Sequence, residues 1–417
     1  MLVISGVVSG HAEGLRAPAQ GAYGLARSGG RIAQIRDATA TTHNPANLVD
    51  LEQAEVIVAP TVIYIEAQLT LPSGDKAQTE NPWKILPNLY AATPLDEQTS
   101  VGLGITTPYG GSYQWEDSGA FAASGALRYA APHFGELKTI NLNPSIAHRL
   151  NENIQVGVGM DIMWSEMTLK QHYPWATHGA PLGLALSEGR LKMEGDGVGY
   201  GANFGVTWKI NEHHRLAATY RTAIRTENEG SFRVSNFPTA VAAITAPGAT
   251  QTSDFNSALK FPSIFGLGYG VQVNDALQVE ANLEILRYSN FRSLDFNVGN
   301  NAVLFGGATQ IPQNWNNTFT AGFAVDYALN NHWNLRGGYQ FFESPVPSST
   351  ISTILPDSHQ TALTTGVAYR QGSHSIGVGY GLLFYSDRIV SNNQNAAFNG
   401  TYEVSTHLLS LSYGLAF

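Results

Sequence analysis

Residues 154–164 read IQVGVGMDIMW, and residues 200–210 read YGANFGVTWKI. In both stretches, large apolar side chains alternate with small or polar ones, and each apolar series contains a tryptophan. A period of two is that of a β-strand whose two faces meet different surroundings. The same alternation recurs at residues 265–273, 277–285, 319–329, 333–341 and 376–384. The sequence therefore predicts an almost entirely β protein from about residue 53 onward.

The composition of the two faces indicates that the apolar one meets lipid. The polar faces are rich in glycine and carry Glu280, Glu284, Arg221 and Arg336, whereas the apolar faces end in Tyr, Trp or Phe. Membrane barrels with a polar lumen and aromatic girdles have this pattern. A closed barrel is also the one sheet that satisfies every backbone hydrogen bond in lipid. A secreted β-sandwich or β-helix is the alternative, but it would not need strands this long.

The connections between these segments alternate between short and long. Short turns fall at residues 94–98, 150–153, 211–214, 273–276, 329–332 and 370–373. Longer, irregular stretches lie at about residues 71–84, 108–136, 171–196, 230–256, 293–314, 343–357 and 386–400. Bacterial outer-membrane barrels have short periplasmic turns and long extracellular loops. Six turns and seven loops predict a fourteen-stranded antiparallel transmembrane β-barrel in the outer membrane, with both termini in the periplasm.

Composition excludes several other classes of protein. The 417 residues include 13% charged residues, well below the level of soluble domains, and the net charge of -9 argues against a nucleic-acid partner. There is no cysteine, which excludes disulfides, thiolate metal sites and cysteine catalysis. The sequence contains no G-x-S-x-G motif, and no carboxylate cluster is evident near His172 and His178. We therefore expect no enzyme activity, no metal and no cofactor.

The two ends of the chain differ from the alternating middle. Residues 1–12 resemble the end of a signal peptide, with a disordered terminus as the alternative. Residues 13–50 are small and polar and cannot build their own core, so we expect a plug inside the barrel rather than a disordered tail. Residues 51–417 then form the barrel. The final strand ends on Phe417, as in chains that the barrel-assembly machinery recognises, and a plugged barrel is expected to work as a monomer.

Several short motifs occur in a characteristic order. They are Ser28-Gly29-Gly30, Asp37-Ala38-Thr39, Asn44-Pro45-Ala46-Asn47-Leu48, Glu343-Ser344-Pro345-Val346-Pro347 and Leu355-Pro356-Asp357. This series resembles the outer-membrane long-chain fatty-acid transporter (FadL) family, which also includes channels for aromatic hydrocarbons, and the similarity covers the chain from residue 13. The resemblance implies passive uptake of hydrophobic molecules through a barrel that is plugged by an N-terminal hatch, with outer-membrane lipid and lipopolysaccharide as its surroundings.

The resemblance also implies where cargo would enter and leave. Lateral release into the membrane would occur at a kinked third strand, here residues 101–109, where Pro108, Gly110 and Gly111 permit a break in the ladder. Capture would occur on apolar side chains of two outer loops. These are Tyr173, Pro174, Trp175, Leu182, Leu184, Leu186, Phe232, Phe237, Val241 and Ile244. The alternative is that the two loops pack on each other as a lid, and both descriptions can hold together.

The inner pocket departs from the family pattern. It is expected beside the hatch residues Asn44, Pro45 and Ala46, and the positions of the family's two pocket cations correspond here to Gln171 and Asn316. This departure leaves open a neutral substrate such as an aromatic hydrocarbon.

Other cations could replace the missing pair. Lys209, Arg221 and Arg225, together with Arg336, are expected on lumen faces, where they could bind a carboxylate or pair with lumenal acids.

Two other functions remain as alternatives. An outer-membrane barrel enzyme such as a lipase would need a Ser–His pair in the barrel wall. A general porin would lack a plug and conduct ions freely.

Overall fold

The computed structural model describes residues 14–17, 20–245, 250–299 and 310–417, with the backbone alone at residues 178, 240, 244 and 245. The expected signal-peptide segment, residues 1–12, lies outside the described residues. Within the described part of the chain, no helix has the length and apolar character needed to cross a bilayer.

Fourteen antiparallel strands form a single barrel. They are β1 (Glu55–Val58 and Thr61–Thr70), β2 (Lys76–Glu80, Trp83–Leu86 and Leu89–Pro94), β3 (Thr99–Thr106 and Gly110–Trp115), β4 (Phe134–Arg149), β5 (Ile154–Tyr173), β6 (Gly189–Lys209), β7 (His214–Arg221 and Ile224–Val234), β8 (Thr252–Phe261 and Ser263–Gln272), β9 (Leu277–Arg287), β10 (Thr318–Ala328), β11 (Trp333–Phe342), β12 (Gln360–Gln371), β13 (His374–Tyr385) and β14 (Gly400–Ala416). Each strand pairs with its neighbours in sequence, and β14 pairs with β1, where Ser410 lies opposite Thr61. The prediction of a fourteen-stranded antiparallel barrel is confirmed.

The period of two in the sequence corresponds to the two faces of this wall. On β6, the side chains of Tyr200, Phe204 and Trp208 point outward and are exposed, while Asn203 and Thr207 point inward and are buried. Large apolar residues are exposed in the same way on the outer face of the other strands. Exposed leucine, valine and aromatic side chains in such a continuous band match a surface that meets lipid.

Several connections are shorter than the sequence predicts, because the strands continue past the apolar band. β5 and β6 stay paired up to Tyr173 and Gly189, so the loop covers residues 174–188 instead of 171–196. In this upper part of β6, the outward side chains are Lys192, Glu194 and Asp196. Above the membrane the outer face is no longer apolar. The alternation that predicts a strand from the sequence is therefore lost in this part of β6.

The N-terminal segment lies inside the barrel, as predicted. It contains α1 (Gly21–Ala26), α2 (Ala40–His43) and a 3-10 helix (Pro45–Asp50), and we call residues 14–17 and 20–50 the hatch. Buried ion pairs fix the hatch to β9, with Arg27 3.4 Å from Glu280 and Arg31 3.5 Å from Glu284.

Candidate functional site

The wall of the barrel is interrupted between β2 and β3. The ladder of hydrogen bonds runs down to the pair Glu80 and Gln114, stops, and resumes at the pair Leu89 and Ile105. Residues 81–88 of β2 and residues 106–113 of β3 are therefore not paired with each other, and we call this interruption the gap. Unpaired backbone in a barrel wall is unusual because lipid cannot satisfy its polar groups.

Each of the two strands carries one extra residue at the gap. In β2 the extra residue lies near Asn81, which has a positive φ of 54°, and it shifts the pairing with β1 by one position. In β3 the extra residue lies at Thr107–Tyr109 and shifts the pairing with β4 by one position. The two β-bulges cancel across the gap, so the register between β2 and β3 is the same above and below it.

The hatch pairs with the kinked part of β3. Ala17 donates its backbone N–H to the carbonyl of Pro108 at 2.8 Å, and Gly110 donates to the carbonyl of Leu15 at 2.8 Å. Pro108 has no N–H group to donate to a neighbouring strand. This segment therefore leaves the ladder at the proline and forms backbone hydrogen bonds with the hatch. The predicted third strand ends at residue 109. In the structure, β3 resumes at Gly110 and continues to Trp115.

An apolar cavity lies behind the gap. Its volume is about 80 Å³, and its wall is formed by Leu15, Gly111, Gly135, Glu136, Leu137, Met167, Thr168, Leu169, Leu259, Phe291, Leu294, Gln313, Trp315, Ile354 and Leu355. Leu15 belongs to the hatch and Gly111 to the kinked strand, so the cavity adjoins both the hatch and the gap. Glu136 is the one charged residue in this lining.

The residues expected in the inner pocket do not line this cavity. Gln171 is buried and donates to the carbonyl of Tyr129 at 2.8 Å, while Asn316 is exposed. Asn44 is also buried, and its side chain donates to the carbonyl of Ile32 and to the Thr207 hydroxyl.

The motif that begins at Asn44 is held against the barrel wall. Gly157 faces the backbone of Pro45 and Ala46 so closely that a Cβ atom would lie 2.4 Å away. The motif that begins at Asn44 therefore attaches the hatch to the barrel wall and does not face the cavity.

Three of the four expected carboxylate partners are already paired. Arg221 lies 2.5 Å from Asp161 inside the lumen, and Lys209 lies 2.8 Å from Asp50 of the hatch. Arg336, also in the lumen, lies 2.9 Å from Asp326. These three residues therefore take part in structural ion pairs with lumenal or hatch acids.

The expectation for Arg225 is wrong. Its side chain is on the outer face of β7, 58% exposed and paired with Glu227 at 2.5 Å. The strand breaks at residues 222–223, and this break turns the following side chains to the opposite face.

The predicted capture residues form a small packed core with an exposed edge. The Tyr173 and Trp175 rings lie 4.4 Å apart, and Phe237 packs edge-on against Trp175 at 5.5 Å. Leu182 and Leu184 are exposed at 41% and 47%. The remaining members vary in burial: Phe232 and Val241 are buried, Pro174 and Leu186 are half-buried, and the side chain of Ile244 lies outside the described residues.

A charged cluster next to these loops was not foreseen. His172 lies 3.1 Å from Asp117 and 2.9 Å from Glu188, and Arg128 binds the same two carboxylates at 2.6 and 2.7 Å. Burial opposes the ionisation of Glu188, but Arg128 outweighs it and lowers the pKa of this carboxyl to about 2. The cluster joins the loop after β3 to the loop after β5. Asp117 is 55 residues from His172 in the chain, so only the fold brings the two together.

A second buried carboxylate holds the end of the hatch. Asp357, in the loop before β12, accepts hydrogen bonds from the Ser344 hydroxyl at 2.6 Å and from the backbone N–H of Gly14. Burial raises the pKa of Asp357 to about 7, although Ser344 and nearby Arg388 oppose this rise.

Comparison with known proteins identifies the family. The model of the family described as "Outer membrane protein transport protein (OMPP1/FadL/TodX)" matches residues 2–417. The chain belongs to this family. The FadL-type chain is therefore a bacterial outer-membrane transport protein for hydrophobic compounds and not an enzyme, and the resemblance that the hatch motifs indicated is confirmed.

Individual relatives of this FadL-family chain are distant. It is similar to a long-chain fatty acid transport protein of Salmonella typhi, with 25% identity over 383 residues, 86% of this chain and 84% of the relative. It is also similar to the crystal structure of a Pseudomonas aeruginosa FadL homologue, with a TM-score of 0.83 and 20% identity over 97% and 100% of the two chains. The Ralstonia pickettii toluene transporter TbuX matches with a TM-score of 0.71 and 19% identity over 96% and 99%.

Proposed function

We propose that this chain mediates passive uptake of hydrophobic small molecules and releases them sideways into the outer membrane through the gap between β2 and β3. The observation that carries the proposal is the apolar cavity, which adjoins both the hatch, at Leu15, and the kinked strand, at Gly111. A molecule in this cavity is therefore already beside an opening in the wall.

Capture is the first step. The leucines Leu182 and Leu184 are exposed in the loop that follows Trp175, whose ring packs with Tyr173 and Phe237. Apolar side chains exposed to water lower their free energy when a hydrophobic molecule covers them, by about 25 cal/mol per Å² of buried apolar surface. This term favours transfer of cargo from water to the loops without an energy source.

The route through the periplasmic end is less suited to such cargo. A separate cavity of about 380 Å³ lies on that side of the hatch, and its lining includes Arg36, Asp37, Asp326, Arg336 and Arg370. Transfer of a hydrocarbon into a charged, hydrated space gives no hydrophobic stabilisation. The apolar cavity and the gap therefore favour lateral exit over passage through the hatch.

We further propose an orientation for the barrel in the outer membrane and the lipids that surround it. The short turns face the periplasm and the long loops face outward, so both termini are periplasmic. Residues 1–12 would be removed as a signal peptide, residues 13–50 would act as the hatch, and residues 51–417 would be the barrel. The barrel would work as a monomer among lipid and lipopolysaccharide, after assembly through the strand that ends at Phe417.

Uptake of radiolabelled oleate and toluene tests the proposal. Cells that lack their own transporter are compared with and without the chain, and folded barrel is quantified in both. Faster uptake of either probe supports the proposal. If neither probe enters faster in cells that display the folded barrel, the transport proposal is overturned.

Cross-linking tests the lateral exit separately. The chain has no cysteine, so two can be introduced at Pro87 and Thr107, which would face each other if the ladder continued through the gap. A short bismaleimide across this pair should stop uptake. The control pair replaces Ala91 and Leu103, which are directly paired in the intact ladder. Undiminished uptake after complete cross-linking at the gap would contradict lateral release.

A further inference from the structure

Lys84 of β2 is a buried cation without a counter-ion. Its side chain is 4% exposed, and its neighbours on the inner face of the wall are the fully buried Ile63 and Leu86. Within residues 14–17, 20–245, 250–299 and 310–417, no ion pair or hydrogen bond reaches its ammonium group. A cation on a side chain that packs among apolar residues is costly unless it is paired, so its presence needs an explanation.

The nearest acid does not neutralise Lys84. Glu136 acts on it from a distance, but the Glu136 carboxylate lies 2.8 Å from Lys138. Lys138 is also held by Glu166 at 3.0 Å, so these three residues form their own ion-pair group. Among the described residues, Lys84 takes part in no such group, and its charge can interact with a further anion.

Lys84 lies at the exit of the cavity. If the register of β2 and β3 continued through the gap, Lys84 would face Gly110, next to the cavity residue Gly111. A molecule that leaves the cavity through the gap therefore passes this side chain.

The opposite edge of the gap supplies hydroxyl groups that also lack partners. The Oγ atoms of Thr106, Thr107 and Ser112 are buried, and within the described ranges none of them forms a hydrogen bond. Buried polar groups in native proteins are almost always hydrogen-bonded. Three hydroxyl groups without a partner in one strand segment are therefore unusual. Hydroxyl donors on one strand and an ammonium group on the facing strand together form a set that can bind a carboxylate.

We propose that Lys84, with the hydroxyl groups of the β3 edge, binds the carboxylate of an anionic amphiphile while its hydrocarbon tail leaves the apolar cavity. This inference rests on the lateral route proposed above and adds a substrate class to it. The carboxylate site is at the exit, at a position separate from Gln171 and Asn316. A neutral hydrocarbon has no group that could pair with Lys84.

The test compares oleate with oleyl alcohol, which has the same tail and no charge. Lys84→Met removes the charge at similar length, Lys84→Arg keeps it, and Lys192→Met on the outer face of β6 is the control. Binding in detergent is measured by quenching of tryptophan fluorescence with dibromostearate, displaced by either probe. Loss of a charge-assisted hydrogen bond should weaken oleate binding of Lys84→Met roughly tenfold or more and leave oleyl alcohol unchanged.

Uptake of the same two probes by cells separates the proposals. Slower uptake of oleate alone in Lys84→Met, with Lys84→Arg near wild type, supports the carboxylate site. Equal loss for both probes, or no loss for either, overturns it while the transport proposal stands. If wild type transports neither probe, the transport proposal falls, and the binding measurement still decides the role of Lys84. Removal of an unpaired buried charge should not destabilise the barrel, so thermal unfolding of Lys84→Met should be no lower than wild type.

Discussion

The guanidinium of Arg27 and the carboxylate of Glu280 are both fully buried and lie 3.4 Å apart inside the barrel. The same carboxylate accepts backbone N–H groups from Ile32, Ala33 and Gln34 at 2.5 to 2.9 Å. One side chain of the wall thus satisfies a cation and three consecutive amides of the hatch. Glu280 is therefore a major attachment of the hatch to β9, beside Glu284, which pairs with Arg16 at 2.7 Å and with Arg31 at 3.5 Å.

Glu280→Ala should release the hatch without dissolving the barrel. Removing one partner of a buried pair costs about 3–5 kcal/mol when the other charge is left unpaired. Here Arg27 keeps Asp326 at 3.8 Å, but three buried backbone N–H groups of the hatch lose their acceptor. We expect faster trypsin cleavage at Arg27 and Arg31 and larger conductance in planar bilayers. Glu227→Ala is the control, since this carboxylate is 59% exposed on the outer face and its ion pair contributes about 0–1 kcal/mol. Unchanged cleavage and conductance in Glu280→Ala would show that the hatch is held elsewhere.

Gly157→Ala should disturb the seat of the hatch. A Cβ atom at this position would lie 2.4 Å from the backbone of Pro45 and Ala46, and backbone cannot rotate out of the way. Overpacking of this kind costs about 1–3 kcal/mol, so the thermal unfolding temperature should fall. Gly337→Ala is the matched control, because its nearest neighbour would be 3.8 Å away. An equal effect in both variants would mean that the loss comes from the strands and not from the hatch.

Leu259→Trp should block transport by filling the cavity. Leu259 is a buried member of the cavity wall, and an indole there would occupy the space that cargo needs. We expect uptake of oleate and toluene to fall to the level of cells without the protein. Leu267→Trp places the same ring on the outer face of β8, where Leu267 is 39% exposed, and should leave uptake unchanged. Normal uptake by a folded Leu259→Trp barrel would place the transport path elsewhere.

Acidity should strengthen the packing around Asp357. Burial raises the pKa of this carboxyl from 3.8 to about 7, so the folded loop binds more protons than the unfolded one between these values. The stability of the loop therefore decreases as the pH rises from about 4 to about 7 and is constant above that. Fluorescence of Trp315, which packs against Gly14, should report the change. Asp357→Asn should abolish this pH dependence, and a persistent transition in that variant would assign it to another group.

The sequence predicts the fold wherever the chain crosses the membrane. There the lipid fixes the polarity of one face, so alternation and strand number can be determined from residues such as Tyr200, Phe204 and Trp208. Above the membrane that constraint ends, and the charged residues Lys192 and Glu194 resemble a loop although they belong to a strand.

The site is less predictable because it depends on exceptions to the alternation. Arg225 was assigned to the lumen because the break at residues 222–223 has no distinctive sequence. Lys84 gives no signal in the sequence, since its burial depends on its pairing with β1. The pairing of His172 with Asp117 joins residues that are far apart in the chain, so only the folded loops bring them together.

The matched bulges at the gap between β2 and β3 constrain how this barrel can evolve. Deleting the extra residue from one strand alone would turn the later side chains of that strand to the opposite face, which in β2 would point Lys84 at the lipid. Sealing the wall therefore requires two simultaneous deletions, one near Asn81 and one at Thr107–Tyr109. Point substitutions can tune what passes, but a single deletion cannot turn this open wall into a closed one.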